Sequence, residues 1–146
     1  MGKAQLDQLA QHGKYLSSPK GISMRPMIHA GRDAVLIETP KEPPKRYDLV
    51  MYTRPDLQGV IHRVMRIRED GYYVINGDNC WQLEIVAPEN IAGIVTEFCR
   101  KGKWHPVSDP RYQLYVKVWT NLLFVRRPLF YVRDKLKRLA GKAKRK

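Results

Sequence analysis

Val60-Ile61-His62-Arg63-Val64-Met65-Arg66-Ile67-Arg68-Glu69-Asp70-Gly71-Tyr72-Tyr73-Val74-Ile75 is the stretch whose reading decides the fold. Residues 60–68 are rich in β-branched side chains, and the run after Gly71 adds aromatics. Such residues favour a pleated, half-buried surface. Asp70-Gly71 supplies the left-handed backbone that a tight hairpin turn requires. Two antiparallel strands, 60–68 and 72–75, are therefore expected.

Working outward, the same pattern repeats. Residues 34–39 are a short apolar run closed by Pro40, and 41–45 hold Pro43-Pro44 in an exposed connection. Residues 48–53 and 91–100 read as further strands, and Lys101-Gly102 turns the second of these into 104–107. Short strands with frequent turns imply an all-β core, sandwich or barrel. Before it, Leu6 and Leu9 mark a short helix over 3–13 that Gly13 stops, and 17–21 is loop chemistry. After it, Tyr112, Tyr115, Val116, Trp119, Leu122 and Leu123 recur on one helical face. Arg126-Arg127-Pro128 should interrupt that helix. Leu129, Val132, Leu136 and Leu139 then continue an apolar face, Gly141 ends it, and 142–146 would fray. No internal repeat or low-complexity tract is present in the sequence.

Composition narrows the class. The chain has 146 residues, 43% hydrophobic and 10% aromatic, which excludes disorder, collagen and coiled coil as its main description. Its net charge of +13 is unevenly spread. Residues 126–146 carry ten basic groups against Asp134 alone, so the other 125 residues stand at only +4. A nucleic-acid partner is accordingly not expected. Cys80 and Cys99 make neither a disulfide framework nor a CxxC zinc pair, so a reducing compartment is expected. There is no apolar signal-peptide core and no run of about 18 apolar residues. A cytoplasmic location, or a peripheral one at a membrane, follows as an expectation.

Three segments could carry chemistry: Gly21-Ile22-Ser23-Met24-Arg25-Pro26-Met27, Val60-Ile61-His62-Arg63-Val64 and Ile75-Asn76-Gly77-Asp78-Asn79-Cys80. Ser23 lies in a loop in which Pro26 fixes the backbone just beyond it. His62 lies in a strand, with alternation aiming it and Val64 to one face and Ile61 and Arg63 to the other. A serine becomes a useful nucleophile when a nearby base takes its proton, and histidine suits that role. A carboxylate such as Asp78 or Glu84 can hold the imidazole in the right tautomer. The residue types alone leave a second reading open, in which Ser23 caps a turn, His62 packs in the sheet and Asp78 makes an Asx turn.

The order and content of these boxes resemble the signal peptidase I family. Gly-x-Ser-Met-x-Pro followed by Gly31-Arg32-Asp33 is similar to its nucleophile box. Ile61-His62-Arg63-Val64 is similar to its second box in the version where histidine replaces lysine, as in endoplasmic-reticulum, archaeal and sporulation-type enzymes. Gly77-Asp78-Asn79 resembles its Gly-Asp-Asn box. The resemblance covers roughly residues 20–95. It implies a β-rich peptidase fold shared with LexA-like self-cleaving repressors, with a domain over 1–110 and a basic amphipathic helical segment over 111–146. It also implies a serine endopeptidase acting on extended peptides or precursor proteins, with no cofactor and no metal.

Carried over by box, Ser23 is the nucleophile and His62 the general base. Asp78 and Glu84 compete to support His62, with Asp78 preferred because its motif matches residue for residue; if Glu84 takes that place, Asp78 orders the loop or assists His62. Gly21, Met24 and Pro26 would line the substrate cleft, and Arg63 would be structural near the acids. Gly21 stands where many signal peptidases have a serine, which leaves backbone N–H groups to hold the oxyanion. Only about 20 polar residues precede the nucleophile box, where the family usually has a membrane-spanning helix. His29 reads as a surface residue, Cys80 as an unreactive thiol and Cys99 as core, while His12 and His105 have no visible partner. The segment 111–146 has two readings: a face packed on the β core, or an amphipathic surface in which Trp119, Phe124, Phe130 and Tyr131 meet an anionic bilayer.

Overall fold

Asp70 and Gly71 turn the chain as their chemistry demands. Gly71 takes a φ of 82°, the Arg68 N–H donates to the Tyr72 carbonyl at 2.9 Å, and the Asp70 carboxylate accepts from the Tyr72 N–H at 3.2 Å. The structure, a computed structural model, describes residues 3–55 and 59–143. Its strands are β1 (Lys14–Ser17), β2 (Ala34–Glu38), β3 (Leu49–Thr53), β4 (Gly59–Ile67), β5 (Tyr73–Asn76), β6 (Glu84–Val86), β7 (Ile91–Arg100) and β8 (Lys103–Pro106). The helices are α1 (Lys3–His12), α2 (Pro110–Asn121) and α3 (Leu123–Ala143), with one 3₁₀ turn at Pro88–Asn90.

The strands form one antiparallel sheet in the order β1-β2-β7-β3-β4-β5-β6, with β8 also paired to β7. Fold class is thus mainly β with a short N-terminal helix and C-terminal helices. Alternation divides the core into two clusters. Val35, Ile37, Leu49, Met51, Ile61 and Val95 lie in one, closed over by Leu9 of α1, Met24, Met27 and Ile28 of the Ser23 loop, and Tyr112 and Val116 of α2. Val50, Tyr52, Val64, Tyr73, Ile75 and Val86 form the other. Burying each of these side chains contributes about 1.5–3 kcal/mol. The helical face over Tyr112 and Val116 therefore belongs to the core. The Leu6 side chain lies outside the described residues.

Three local expectations are corrected, and one strand, β6, lies where none is expected. Residue 17 is in a strand: β1 pairs along β2 from Lys14↔Glu38 to Ser17↔Val35, because an open edge of β2 offers hydrogen bonds that propensity does not register. β6 is only three residues long and exists by pairing with β5. The helical break falls at Leu122, not at Arg126-Arg127-Pro128, and Pro128 lies inside α3. Pro128 lies in the second turn of α3, where its missing N–H removes one helical bond. Gly141 does not end α3, which runs to Ala143; 144–146 lie outside the described residues. Asp109 caps α2, accepting from the N–H groups of Arg111 at 2.8 Å and Tyr112 at 3.2 Å, with Pro110 in the first turn.

Candidate active site

The Ser23 loop is anchored from below and behind. Buried Met24, Met27 and Ile28 sink into the first core cluster, and a helical turn closes as the Ile28 N–H donates to the Met24 carbonyl at 2.9 Å. Gly21 takes a φ of 83°, a backbone state that glycine adopts without strain. Ser23 is left half-buried beside a cleft. Behind the loop, the Arg32 guanidinium grips the Asp33 carboxylate with two bonds of 2.7 Å, and that carboxylate also accepts from the His29 N–H at 2.8 Å. Asp33 is buried, and the Arg32 pair holds its carboxyl well below the usual carboxylate range.

His62 sits on β4 with its two ring nitrogens facing different groups. Nδ1 lies 3.2 Å from the Tyr52 hydroxyl and 3.4 Å from Glu84 Oε1. Nε2 lies on the other side, against Gly77: a β-carbon placed on Gly77 would come 2.9 Å from Nε2 and 2.8 Å from the Ser23 carbonyl oxygen. Glu84 is fixed by Arg54, which donates Nε to Oε2 at 2.9 Å and Nη2 to Oε1 at 2.6 Å. Burial alone would raise the Glu84 carboxyl. Hydrogen bonds from His62, Arg54 and Tyr52 outweigh burial and bring it down to about 2. Glu84 is thus an anion across the neutral range. An anion beside Nδ1 favours the tautomer with its proton there, which leaves a lone pair on Nε2. Burial and the Glu84 charge raise the Tyr52 hydroxyl, so it stays neutral.

The Asp78 carboxylate is bonded away from His62. It is taken by Arg63 through bonds of 2.9 and 2.8 Å, with Tyr115 Oη at 3.3 Å. Alternation is the physical reason. Arg63 points to the face opposite His62, where its Nη1 also donates to the Tyr47 carbonyl and Tyr112 Oη. Geometry thus places Glu84, and not Asp78, beside the His62 ring, while the structural reading of Arg63 agrees with its placement.

The Gly77-Asp78-Asn79 loop is the hub of the site. Any β-carbon on Gly77 would meet the Ser23 carbonyl, the His62 ring and Cys80 Sγ, so only glycine fits. The Asn79 N–H donates to the Ser23 carbonyl at 2.7 Å and its side-chain Nδ2 to the Ile22 carbonyl at 3.1 Å. From outside, Trp119 Nε1 and Arg126 Nη1 both donate to the Asp78 carbonyl, and Arg133 Nη1 donates to Asn79 Oδ1 at 2.6 Å. Trp119 and Phe130 are engaged by Arg126 and Arg133 on this side. Tyr52, Arg54, Trp119, Arg126 and Arg133 were not singled out as site residues in the sequence. No motif marks them, and only strand register and helix packing bring them here.

A cleft of about 570 Å³ joins these parts, lined by Gly21, Ser23, Met24, His62, Glu84 and Arg54 among others. Pro26 does not line it; it is exposed, after a cis peptide bond. Ser23 and His62 share the cleft but are not hydrogen-bonded to each other. Catalytic hydrogen bonds in unliganded sites are often long and tighten when substrate binds. Cys80 also faces the cleft, and burial pushes its thiol up, away from the reactive thiolate. His105 stacks on Phe98, and Cys99 is half-buried on β7. Among the described residues, no group of three His, Cys, Asp or Glu side chains could hold a metal ion, and no helix is long and apolar enough to cross a membrane. No family model matches the chain, and neither curated proteins nor solved structures yield a match.

Proposed function

We propose that the chain is a serine endopeptidase, similar to histidine-type signal peptidases, that cleaves extended peptides by acyl transfer through Ser23, His62 and Glu84. The observation that carries this reading is the orientation of His62. Its Nε2 edge faces Gly77, the residue that also meets the Ser23 carbonyl, while its Nδ1 edge faces an anchored carboxylate. A merely packed histidine has no need of that polarity.

In this mechanism Nε2 takes the Ser23 proton as Oγ attacks the scissile carbonyl. The imidazolium that forms is stabilised by Glu84, whose own charge is held by Arg54. The Ser23 N–H has no partner among the described residues and is available to the oxyanion. His62 then gives its proton to the leaving amine. Water, deprotonated by the same nitrogen, releases the acyl group and restores the serine.

The test uses a peptide library with alanine at the first and third positions before the intended scissile bond, small side chains being what the resemblance implies. The wild type should cleave members of it. Ser23→Ala and His62→Ala should each lose activity by at least about 10³-fold with unchanged circular dichroism. Cleavage by Ser23→Ala at the wild-type rate would sink the reading. A wild type that cleaves no member returns the chain to the rival class, a non-catalytic β domain that binds through its basic helices.

A further inference from the structure

The two sides of α3 differ in what they do. Toward the body, Arg126 and Arg133 reach the loop at Asp78 and Asn79, and Tyr131 packs edge-on against Trp81. About a quarter turn round the helix from those arginines, Val125, Leu129, Val132, Leu136 and Leu139 follow one another at steps of four, three, four and three residues. At 3.6 residues per turn that spacing makes one narrow stripe, about 21 Å long at 1.5 Å per residue. All five are exposed, and the three leucines leave more than half their surface open. Continuous apolar stripes of this kind are unusual on a soluble surface and mark an interaction site.

The borders of the stripe say what covers it. Helical geometry puts Lys135 along one border and Arg126 and Arg133 along the other, with Lys137 and Arg138 further round on the outer faces. Lys135, Lys137 and Arg138 are exposed and form no ion pair with another described residue. The one acidic residue of α3, Asp134, is already bonded to Arg133 at 2.8 Å. A second copy laid along the stripe would set one strongly basic helix against another, so self-association is opposed. The occupant must be apolar along its centre and negative along its edges over several turns, with no demand for shaped polar contacts. An anionic bilayer surface has that character: long basic side chains reach its headgroups while the apolar stripe enters the interface.

We propose that α3 is an interfacial anchor that lies flat on an anionic lipid bilayer, with the stripe from Val125 to Leu139 seated among the headgroups. Arg126 and Arg133 flank the stripe about a quarter turn from its centre and are held by the loop, so docking along the stripe leaves their bonds to Asp78 and Asn79 in place. The proposal is independent of the peptidase reading.

Flotation of the full chain with vesicles tests it. Phosphatidylcholine vesicles are compared with an equimolar phosphatidylcholine–phosphatidylglycerol mixture at low salt. Binding is expected to the mixed vesicles and not to phosphatidylcholine alone. The double variant Leu129→Asn/Leu136→Asn should bind at least about tenfold more weakly. Lys135→Gln/Lys137→Gln/Arg138→Gln should lose the preference for the anionic mixture. Both variants should keep the wild-type circular dichroism and melting midpoint, since the altered side chains are exposed. Absence of wild-type binding to the mixed vesicles would overturn the proposal. So would full binding by the leucine variant, which would mean adsorption by charge alone. A lipid-free dimer that the leucine variant dissociates would assign the stripe to a second copy instead.

Discussion

Two arginine–carboxylate pairs in this molecule have opposite consequences. Arg63–Asp78 and Arg54–Glu84 are both bidentate, with bonds between 2.6 and 2.9 Å. The first is sealed: its side chains are 1% and 2% exposed. The second is open to the cleft at 38% and 29%. Behind the first lie Tyr47, Tyr112 and Met27, all part of the scaffold. Behind the second lies the Nδ1 edge of His62. The same chemical pair is a structural clamp where water is excluded and an electrostatic support where one side faces a histidine and a cleft.

The comparison breaks most visibly in stability. Asp78→Ala would leave the Arg63 guanidinium buried without its counter-charge, which costs about 3–5 kcal/mol. It would also loosen the loop that carries Gly77 and Asn79. Urea denaturation should show the whole of this loss in the midpoint. Arg54→Ala, by the same measurement, should cost no more than about 1 kcal/mol, as for other exposed pairs. Equal costs for the two variants would mean that burial does not distinguish the pairs.

Much of this contrast could not be read from the residues alone. The hairpin at 60–75 was legible because Asp70-Gly71 and the β-branched run agree. The meeting of Ser23, His62 and the 77–79 loop followed from their motifs. The choice between Asp78 and Glu84 did not, because it depends on alternation along β4 and on a six-residue path from the loop to β6. β6 itself is three residues whose strand character comes from its pairing to β5. Arg54 follows the last residue of β3 with no motif around it, and becomes relevant only because Glu84 arrives opposite. The positive charge of 126–146 read as a solvated or membrane-facing property. Two of its arginines instead turn inward onto Asp78 and Asn79, one of them 6% exposed and stacked over Trp119. Burying such a group demands cation–π and carbonyl partners that lie far away in sequence.

In activity the comparison sharpens on Glu84. Glu84→Gln preserves shape and removes the charge that stabilises imidazolium. Under the peptidase reading kcat/KM should fall by about 10²–10³-fold, with no more than about 1 kcal/mol lost in stability by urea denaturation. A variant with wild-type turnover would make Arg54–Glu84 a second scaffold pair.

The smallest effect is the most specific, because it follows one proton. Glu84 titrates at about 2 in the folded chain against an ordinary carboxyl near 4.5. A depressed acid stabilises the fold only while ionised. Its contribution is therefore complete above about pH 4.5 and disappears as the pH falls through about 2. With more than a quarter of its side chain open to water, that contribution should not exceed about 1 kcal/mol. The stability of the wild type minus that of Glu84→Gln, from urea titrations at a series of pH values, should hold level at neutral pH and then close across that window. A difference that stays constant down to pH 2 would show that the ionised carboxylate contributes nothing through His62, Arg54 and Tyr52. The contrast between the sealed pair and the open one would then rest on burial alone.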